Sequence, residues 1–579
     1  MAFNFPSPPL IPGQVSNGYI WDGEKWNVIS EDEGGGTFMQ GGTGAVERTA
    51  QDKMREAVSL ADFGGDPTGA TSSTAAFNAA VAYLGSVGGG TLYLGRGRFV
   101  FATAPALLPH NLRIIGDGYQ TTKVEVQFAT GNLFHWPASG PTVIASYEVA
   151  HLTITSSVAR ISGAYIRNET DTSPLTHSHF HDLYLHKAYI GIVIGGGVAE
   201  IGSVNVYSLT GGATAAGGCA FYIDNLNETF IHNCHVVGDE HTWDGQPRTY
   251  PSYGIVIAET GGLQIESIDI ISCGTSLFVN PAGGKIAWFG VIANSWFDSP
   301  GSNNVVFQPF GTTNGRISDW RFIGCMFSSP QVFNVVLMMD GGATGNFSGI
   351  HFNGCIFIGG TPYSILVNDA RITDVTLHAC TIVATPVGFY AVAGVSDFRI
   401  TNNTFGPSAG FSGNATDIKL GGGAMGRFVI ANNSLQGSTA KITFDTPITG
   451  TTGIIHDNTG YSPAWTTVVL GPPDLAPGAN PPFGAGAAAT VAYTIRGKTV
   501  DFRTQINIPT NNAGSSAINL TLPAVLSGMR GCANGRKVNV GKSVMGSMFG
   551  GVMSIVHYDN TYPGGDGTDI TMSGVFELP

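Results

Sequence analysis

Charge is scarce in this chain: only 12% of its 579 residues are Asp, Glu, Lys or Arg. With hydrophobic residues at 43%, that scarcity belongs to a folded chain and excludes a disordered one. Positive charge is the scarcer sign, 27 Lys and Arg against 40 Asp and Glu, and the formal net charge of −13 repels nucleic acid and anionic lipid. No apolar run is long enough to span a bilayer, so membrane insertion is not expected. The first twenty residues have neither a basic start nor an apolar core, and no secretion signal is read in them. The seven cysteines show no paired spacing of the kind zinc uses. No phosphate loop of the Gly-x-x-x-x-Gly-Lys-Ser/Thr kind is present, which leaves a nucleotide enzyme of that class without local support. No cofactor is expected.

What the chain does have is glycine, 82 residues of it, and repetition. An apolar residue, a spacer, an apolar residue, two spacers, a small or polar residue and another apolar one recur every two to three dozen residues. Clear copies are Phe289-x-Val291-x-x-Asn294-x-Trp296, Trp320-x-Phe322-x-x-Cys325-x-Phe327, Ile350-x-Phe352-x-x-Cys355-x-Phe357 and Phe428-x-Ile430-x-x-Asn433-x-Leu435. Period-two alternation on both sides of a bend, at a fixed recurrence, predicts an all-β fold in which coils stack into a parallel β-solenoid. Aligned this way, Cys234, Cys273, Cys325, Cys355 and Cys380 share one slot with Asn294, Asn403, Asn433 and Asn458. Coils about 4.8 Å apart would set these residues in a ladder at a bend, where Asn tolerates left-handed backbone and Cys is read as a buried free thiol, with a disulfide between stacked coils as the alternative. Earlier copies are centred near Asp117, Ser157, Ala188 and Leu209.

Five regions follow. Residues 1–44 are rich in Pro and Gly, with a hairpin signal at Asp22-Gly23. Residues 45–91 hold a charged stretch and an Ala-rich amphipathic helix, capped by Ser72 or Ser73, that would plug the end of the rod. The coils occupy 92–463. The prolines of 464–490 read as a stiff linker, and the alternating strands of 491–579 as a small β-sandwich.

Several of these stretches resemble bacteriophage tailspikes with a right-handed parallel β-helix. Pro8-Pro9, Tyr19-Ile20-Trp21-Asp22-Gly23 and Lys25-Trp26 are similar to virion-attachment segments. The run from Ala45-Val46-Glu47-Arg48-Thr49 to Ala61-Asp62-Phe63-Gly64 resembles a neck. Gly65-Asp66 and Gly88-Gly89-Gly90-Thr91-Leu92-Tyr93-Leu94 resemble the capping segment of the pectate-lyase-like superfamily, although the usual acidic pair before the helix is here Ala70-Thr71-Ser72-Ser73. Gly497-Lys498-Thr499-Val500-Asp501-Phe502 and Ser573-Gly574-Val575-Phe576-Glu577 look like tail-fibre ends. The resemblance implies a homotrimer in the virion, assembled in the host cytoplasm. It also implies attachment to a phage tail or baseplate protein through the N-terminus, and a bacterial surface polysaccharide as ligand and usually as substrate.

Glycoside hydrolysis needs two carboxyl groups across the scissile bond. In the alignment Glu228, Asp319, Asp374 and Asp397 lie six residues before the slot, and Asp269 and Arg321 lie four before it. Glu228 and Asp269 then become diagonal neighbours, with Cα atoms about 8 Å apart, and are the first choice for acid and base. Trp288, expected with Arg321 to contact substrate, falls on the same row two coils along, followed by Asp319 as an alternative acid. The long loop 238–250 supplies a second set: Glu240 and Asp244 as alternative acids, with Asp239, His241, Trp243 and Arg248 as substrate contacts. Glu259, at the end of the next strand, is a further alternative that could complete a site across a groove. His177-x-His179-x-His181-Asp182 has the alternation of metal ligands on one strand face, but no far ligand matches it, so an exposed polar strand edge is the preferred reading and no metal is expected. The sequence therefore points to a depolymerase that hydrolyses capsule, exopolysaccharide or O-antigen; alternatives are a lyase acting on a uronic-acid polymer and a purely adhesive spike.

Overall fold

Each coil bends between three short strands, and in most coils the first of these bends is a single residue held in left-handed backbone. In the last full coil the strands are Phe428–Ala431, Ser434–Leu435 and Ala440–Phe444. Each strand pairs in parallel with its counterpart one coil earlier. Repeated from Val58 to His456, the pairing builds three flat walls around one continuous apolar core. The computed structural model describes residues 57–138, 144–169, 176–210, 218–239, 253–309, 315–407, 410–422, 425–446 and 453–461. It also describes 466–577 with short gaps, Tyr250, and short stretches before residue 57. The predicted solenoid is therefore the observed architecture, with alternate side chains of every wall pointing inward.

The bend from the first wall to the second sits one residue before the predicted slot. Asn233, Ser267, Asn294, Asn402, Asn432 and Asp457 all have φ between 49° and 59° there. The slot residue itself points inward. Cys325, Cys355, Cys380, Asn403, Asn433 and Asn458 form the expected ladder; Asn403 Nδ2 donates to Asn433 Oδ1 at 2.9 Å and Asn433 Nδ2 to Asn458 Oδ1 at 2.8 Å. All cysteines are free, six of them buried. Burial pushes the Cys234 thiol up to about 12.

Two slot assignments need correction. The strand register sets Ser295, not Asn294, beside Cys325, because Trp296 pairs with Met326. It sets Ile268, not Cys273, beside Cys234, because His235 pairs with Asp269. Cys273 lies five residues later, at the bend from second wall to third, where Ser272 has φ 55°. Both bends of a coil use one left-handed residue followed by an inward one, so they write the same pattern into the sequence at a five-residue offset. The copies centred on Ala188 and Leu209 fell on this second bend for the same reason, after Lys187 and Ser208 at φ 55° and 56°, and Ser157, itself exposed, stands at the same register.

At the start of the rod the helix Thr74–Ser86 buries Phe77, Ala80, Val81 and Leu84 in the same core, with Phe77 packed on Phe101 and Phe134 at 5.3 and 5.5 Å. Ser73 makes no side-chain cap; its hydroxyl accepts from the Asp66 amide instead. Beyond the rod, nine strands pair antiparallel around a separate core. Two of them, Thr466–Leu470 and Leu475–Ala479, lie in the stretch predicted to be a linker. Proline misled that reading: Pro477 sits in Leu475–Ala479, the last strand in the sheet's order, where an edge strand needs no donor on its open side.

Candidate functional site

Among the described residues, two strands run without a break from the third wall into the next first wall. Cys219–His232 and Tyr253–Glu266 run unbroken around that corner as strands of fourteen residues. Polar side chains turned inward hold the bend. Asn225 Nδ2 donates to Gly197 O at 2.9 Å and to Thr229 Oγ1 at 3.0 Å, and Thr260 Oγ1 accepts from the Gly262 amide. Asn225, Thr229 and Thr260 have no exposed surface. With inward partners fixed, the residues between them face out.

Those outward residues are the acids. Asp224 pairs in register with Glu259 on the next coil, so their Cα atoms lie about 4.8 Å apart. Lys285, from the coil after that, makes an ion pair with Asp224 through Nζ. Burial pushes the Glu259 carboxyl up; Lys285 opposes this and the Asp224 charge adds to it. Ala287 pairs with Thr260, which brings Trp288 to the same corner, and Phe289, 56% exposed, meets Trp288 edge-on at 6.2 Å. Leu226 is exposed at the bend. Glu228 is exposed four residues beyond Asp224, and its Cγ lies over Gly262, where a Cβ would stand 3.6 Å away. Three successive coils thus deliver two in-register carboxyl groups, a lysine and two aromatic rings to one corner.

The structure dissolves the pair Glu228 and Asp269. Glu228 stands opposite Gly262, whereas Asp269 is seven residues further on, beyond a bend, on the second wall. There Asp269 meets His235 Nδ1 at 3.0 Å. Placing Cys273 in the wrong bend produced the false neighbourhood. The row through Glu228 continues to Phe289 rather than Trp288, again a shift of one residue, because Leu263 pairs with Gly290. Asp319 follows on that row, in left-handed backbone with φ 60°, and Arg321 is exposed two residues later, paired with Val291.

In the long loop, Asp239 is buried and its Oδ2 accepts from the Tyr250 amide at 2.9 Å. It closes the base of the loop and does not face a ligand, as had been expected of it. Glu240, His241, Trp243, Asp244 and Arg248 lie outside the described residues. The loop leads into Tyr253, the start of the strand whose far part carries Glu259. Glu259 and Trp288 were found by sequence; Asp224 and Lys285 were missed. Asp224 has outward parity with Tyr222 in an alternating strand, which is the signal the sequence carries for it.

His177 is exposed, while His181 and Asp182 meet His151 from the preceding coil. This is the distant partner that the His177-x-His179-x-His181-Asp182 motif had lacked.

No family profile and no curated protein matches the chain. Solved structures do. The tailspike protein of E. coli bacteriophage HK620, in complex with a pentasaccharide, is 11% identical with a TM-score of 0.50, over 94% of this chain and 96% of that one. The Dettilon tailspike protein is 12% identical with a TM-score of 0.45, over 92% and 96%. A GH87 alpha-1,3-glucanase from Streptomyces thermodiastaticus is 11% identical with a TM-score of 0.43, over 74% and 70%. The chain shares the parallel-strand solenoid fold of phage tailspikes.

Proposed function

We propose that this chain is a phage tailspike that binds a bacterial surface polysaccharide along its rod and hydrolyses it at the corner of Asp224 and Glu259. The pairing of these two carboxyl groups on adjacent coils carries the reading. Glu259, pushed toward its protonated form by burial, donates a proton to the glycosidic oxygen of the leaving sugar. Asp224, ion-paired with Lys285, faces the anomeric carbon. Adjacent-coil spacing suits carboxyl groups about 5 Å apart, the separation of a retaining mechanism, in which Asp224 forms a glycosyl ester that water then hydrolyses. Trp288 and Phe289 offer ring faces to sugar rings, and Glu228, Asp319 and Arg321 offer polar groups to their hydroxyls. Homotrimer formation, attachment through residues 1–44 to a phage tail or baseplate protein, location in the virion and assembly in the host cytoplasm belong to this proposal. The fold shared with a tailspike whose structure holds a pentasaccharide supports it.

Lys285 beside two carboxylates also favours a second reading, a lyase that holds a uronate and removes its neighbouring proton. The two reactions are separated by incubating the chain with the polysaccharide of a sensitive host. Hydrolysis raises reducing ends without ultraviolet absorption, whereas a lyase produces an absorbing unsaturated sugar. Glu259→Gln and Asp224→Asn are each expected to lower release of oligosaccharide about 10²- to 10⁴-fold while leaving polysaccharide binding intact. Wild-type release in both variants would remove this corner as the site. Binding with no new ends from the wild type would leave an adhesin.

A further inference from the structure

The bend between first and second wall recurs coil after coil, and in two adjacent coils its left-handed residue is a metal-binding type. His151 has φ 59° and Asp182 φ 51°. His181 precedes Asp182 on the outer face of the first wall, paired with Ala150. One ligand atom from each of His151, His181 and Asp182 lies within 4.8 Å of the others. Asp182 Oδ2 is 2.8 Å from His181 Nδ1 and 3.5 Å from His151 Nδ1. Tetrahedral ligands about 2.0–2.1 Å from one zinc ion stand about 3.3–3.5 Å from each other, so only small rotations separate this arrangement from a coordination shell.

The supporting contacts are those of a ligating histidine. The other ring nitrogen of His181, Nε2, faces Glu148 Oε1 at 3.2 Å, and Glu148 Oε2 is held by Arg113 Nε at 2.5 Å. A carboxylate behind the histidine fixes its ring and raises its basicity toward a metal. His179 stacks on the His181 ring at 3.9 Å and limits its swing. Side-chain exposure is 18% for His181 and 45% for both His151 and Asp182, which leaves the outer positions of an ion open to water.

We propose that His151, His181 and Asp182 bind one divalent transition-metal ion, zinc by the softness and number of these ligands, as a clasp between two consecutive coils. Imidazole and carboxylate together suit zinc better than calcium or magnesium, which take oxygen. The last coil contains the natural control. His456 Nδ1 meets Asp457 Oδ2 at 2.6 Å at the same bend, but the preceding coil offers Ala431 and Asn432 there, so the third ligand is missing.

The test uses the full chain without a histidine tag, stripped with chelator and titrated calorimetrically with zinc chloride. One equivalent is expected to bind, and the thermal midpoint to rise with zinc. His151→Asn and Asp182→Asn keep a residue that tolerates left-handed backbone, and each is expected to abolish both effects. Glu148→Gln is expected to weaken binding about 10- to 100-fold, and His456→Ala to leave it unchanged. Cobalt in place of zinc gives a visible absorption band that the His151→Asn chain lacks. No stoichiometric uptake by the wild type overturns the proposal, as does equal uptake by the two asparagine variants. Neither result depends on polysaccharide cleavage.

Discussion

The two halves of the rod are built on one plan and differ in what they place on it. From Ser295 to Asn458 the inward residues repeat almost without exception: Phe297, Phe327 and Phe357 stack at 5.1 and 4.8 Å, and thiols give way to amides in a single ladder. Before Ser295 the coils are irregular. Strands fuse around a corner, the ladder is interrupted at Ile268, and acids, histidines and a lysine crowd the outer face. A repeat that tolerates no exception makes a strong scaffold, and its outward rows in this half carry fewer buried or paired acids. Chemistry needs unlike residues side by side, and the irregular half supplies them.

The contrast can be broken most forcefully in the core of the regular half. Phe327→Ala removes the middle ring of the stack and is expected to cost about 3–5 kcal/mol, read as a fall in the urea midpoint. The outward His232→Ala in the irregular half is expected to stay within about 0.5 kcal/mol, and a comparable loss there would erase the distinction. A smaller effect is expected at the ladder. Asn433→Ala removes the side-chain amide that donates to Ile400 O and accepts from the Asn403 backbone N–H, at about 1–3 kcal/mol, whereas Asn433→Cys, which copies a neighbouring rung, is expected to cost less. The smallest effect is one of pH. Asp417, buried in the third wall of the regular half, has its carboxyl pushed up to about 6 by burial, against hydrogen bonds from the Gly437 amide and Asn414. Its folded value lies above its unfolded one. The stability it contributes is therefore complete below the ordinary aspartate range and fades as pH rises through about 6. Thermal midpoints of the wild type are expected to fall over that interval relative to Asp417→Asn; parallel curves would refute the assignment.

Legibility followed the same division. The solenoid and the inward Cys and Asn rungs after Ser295 could be read from spacing alone, since each coil there writes its bends in the same letters. The register of the earlier coils could not. One left-handed residue followed by an inward one marks both bends of a coil, so Cys273 passed for the partner of Cys234 and moved Asp269 onto the wrong wall. Glu259 stands beside Asp224 despite that slip, because it was read from its own strand, whereas Trp288 moved by one residue with the Asn294 slot. Asp224 and Lys285 meet from positions 61 residues apart, and His151 reaches Asp182 from 31 residues away; only the closure of the coils makes them neighbours. Leu475–Ala479 was lost to a different cause, the assumption that proline ends a strand.

The walls of this rod consist of strands laid crosswise, so their backbone hydrogen bonds all point along its length. A pull from end to end would load every bond between two floors together instead of opening them one after another. The joint between two coils would then resist as one unit rather than bond by bond.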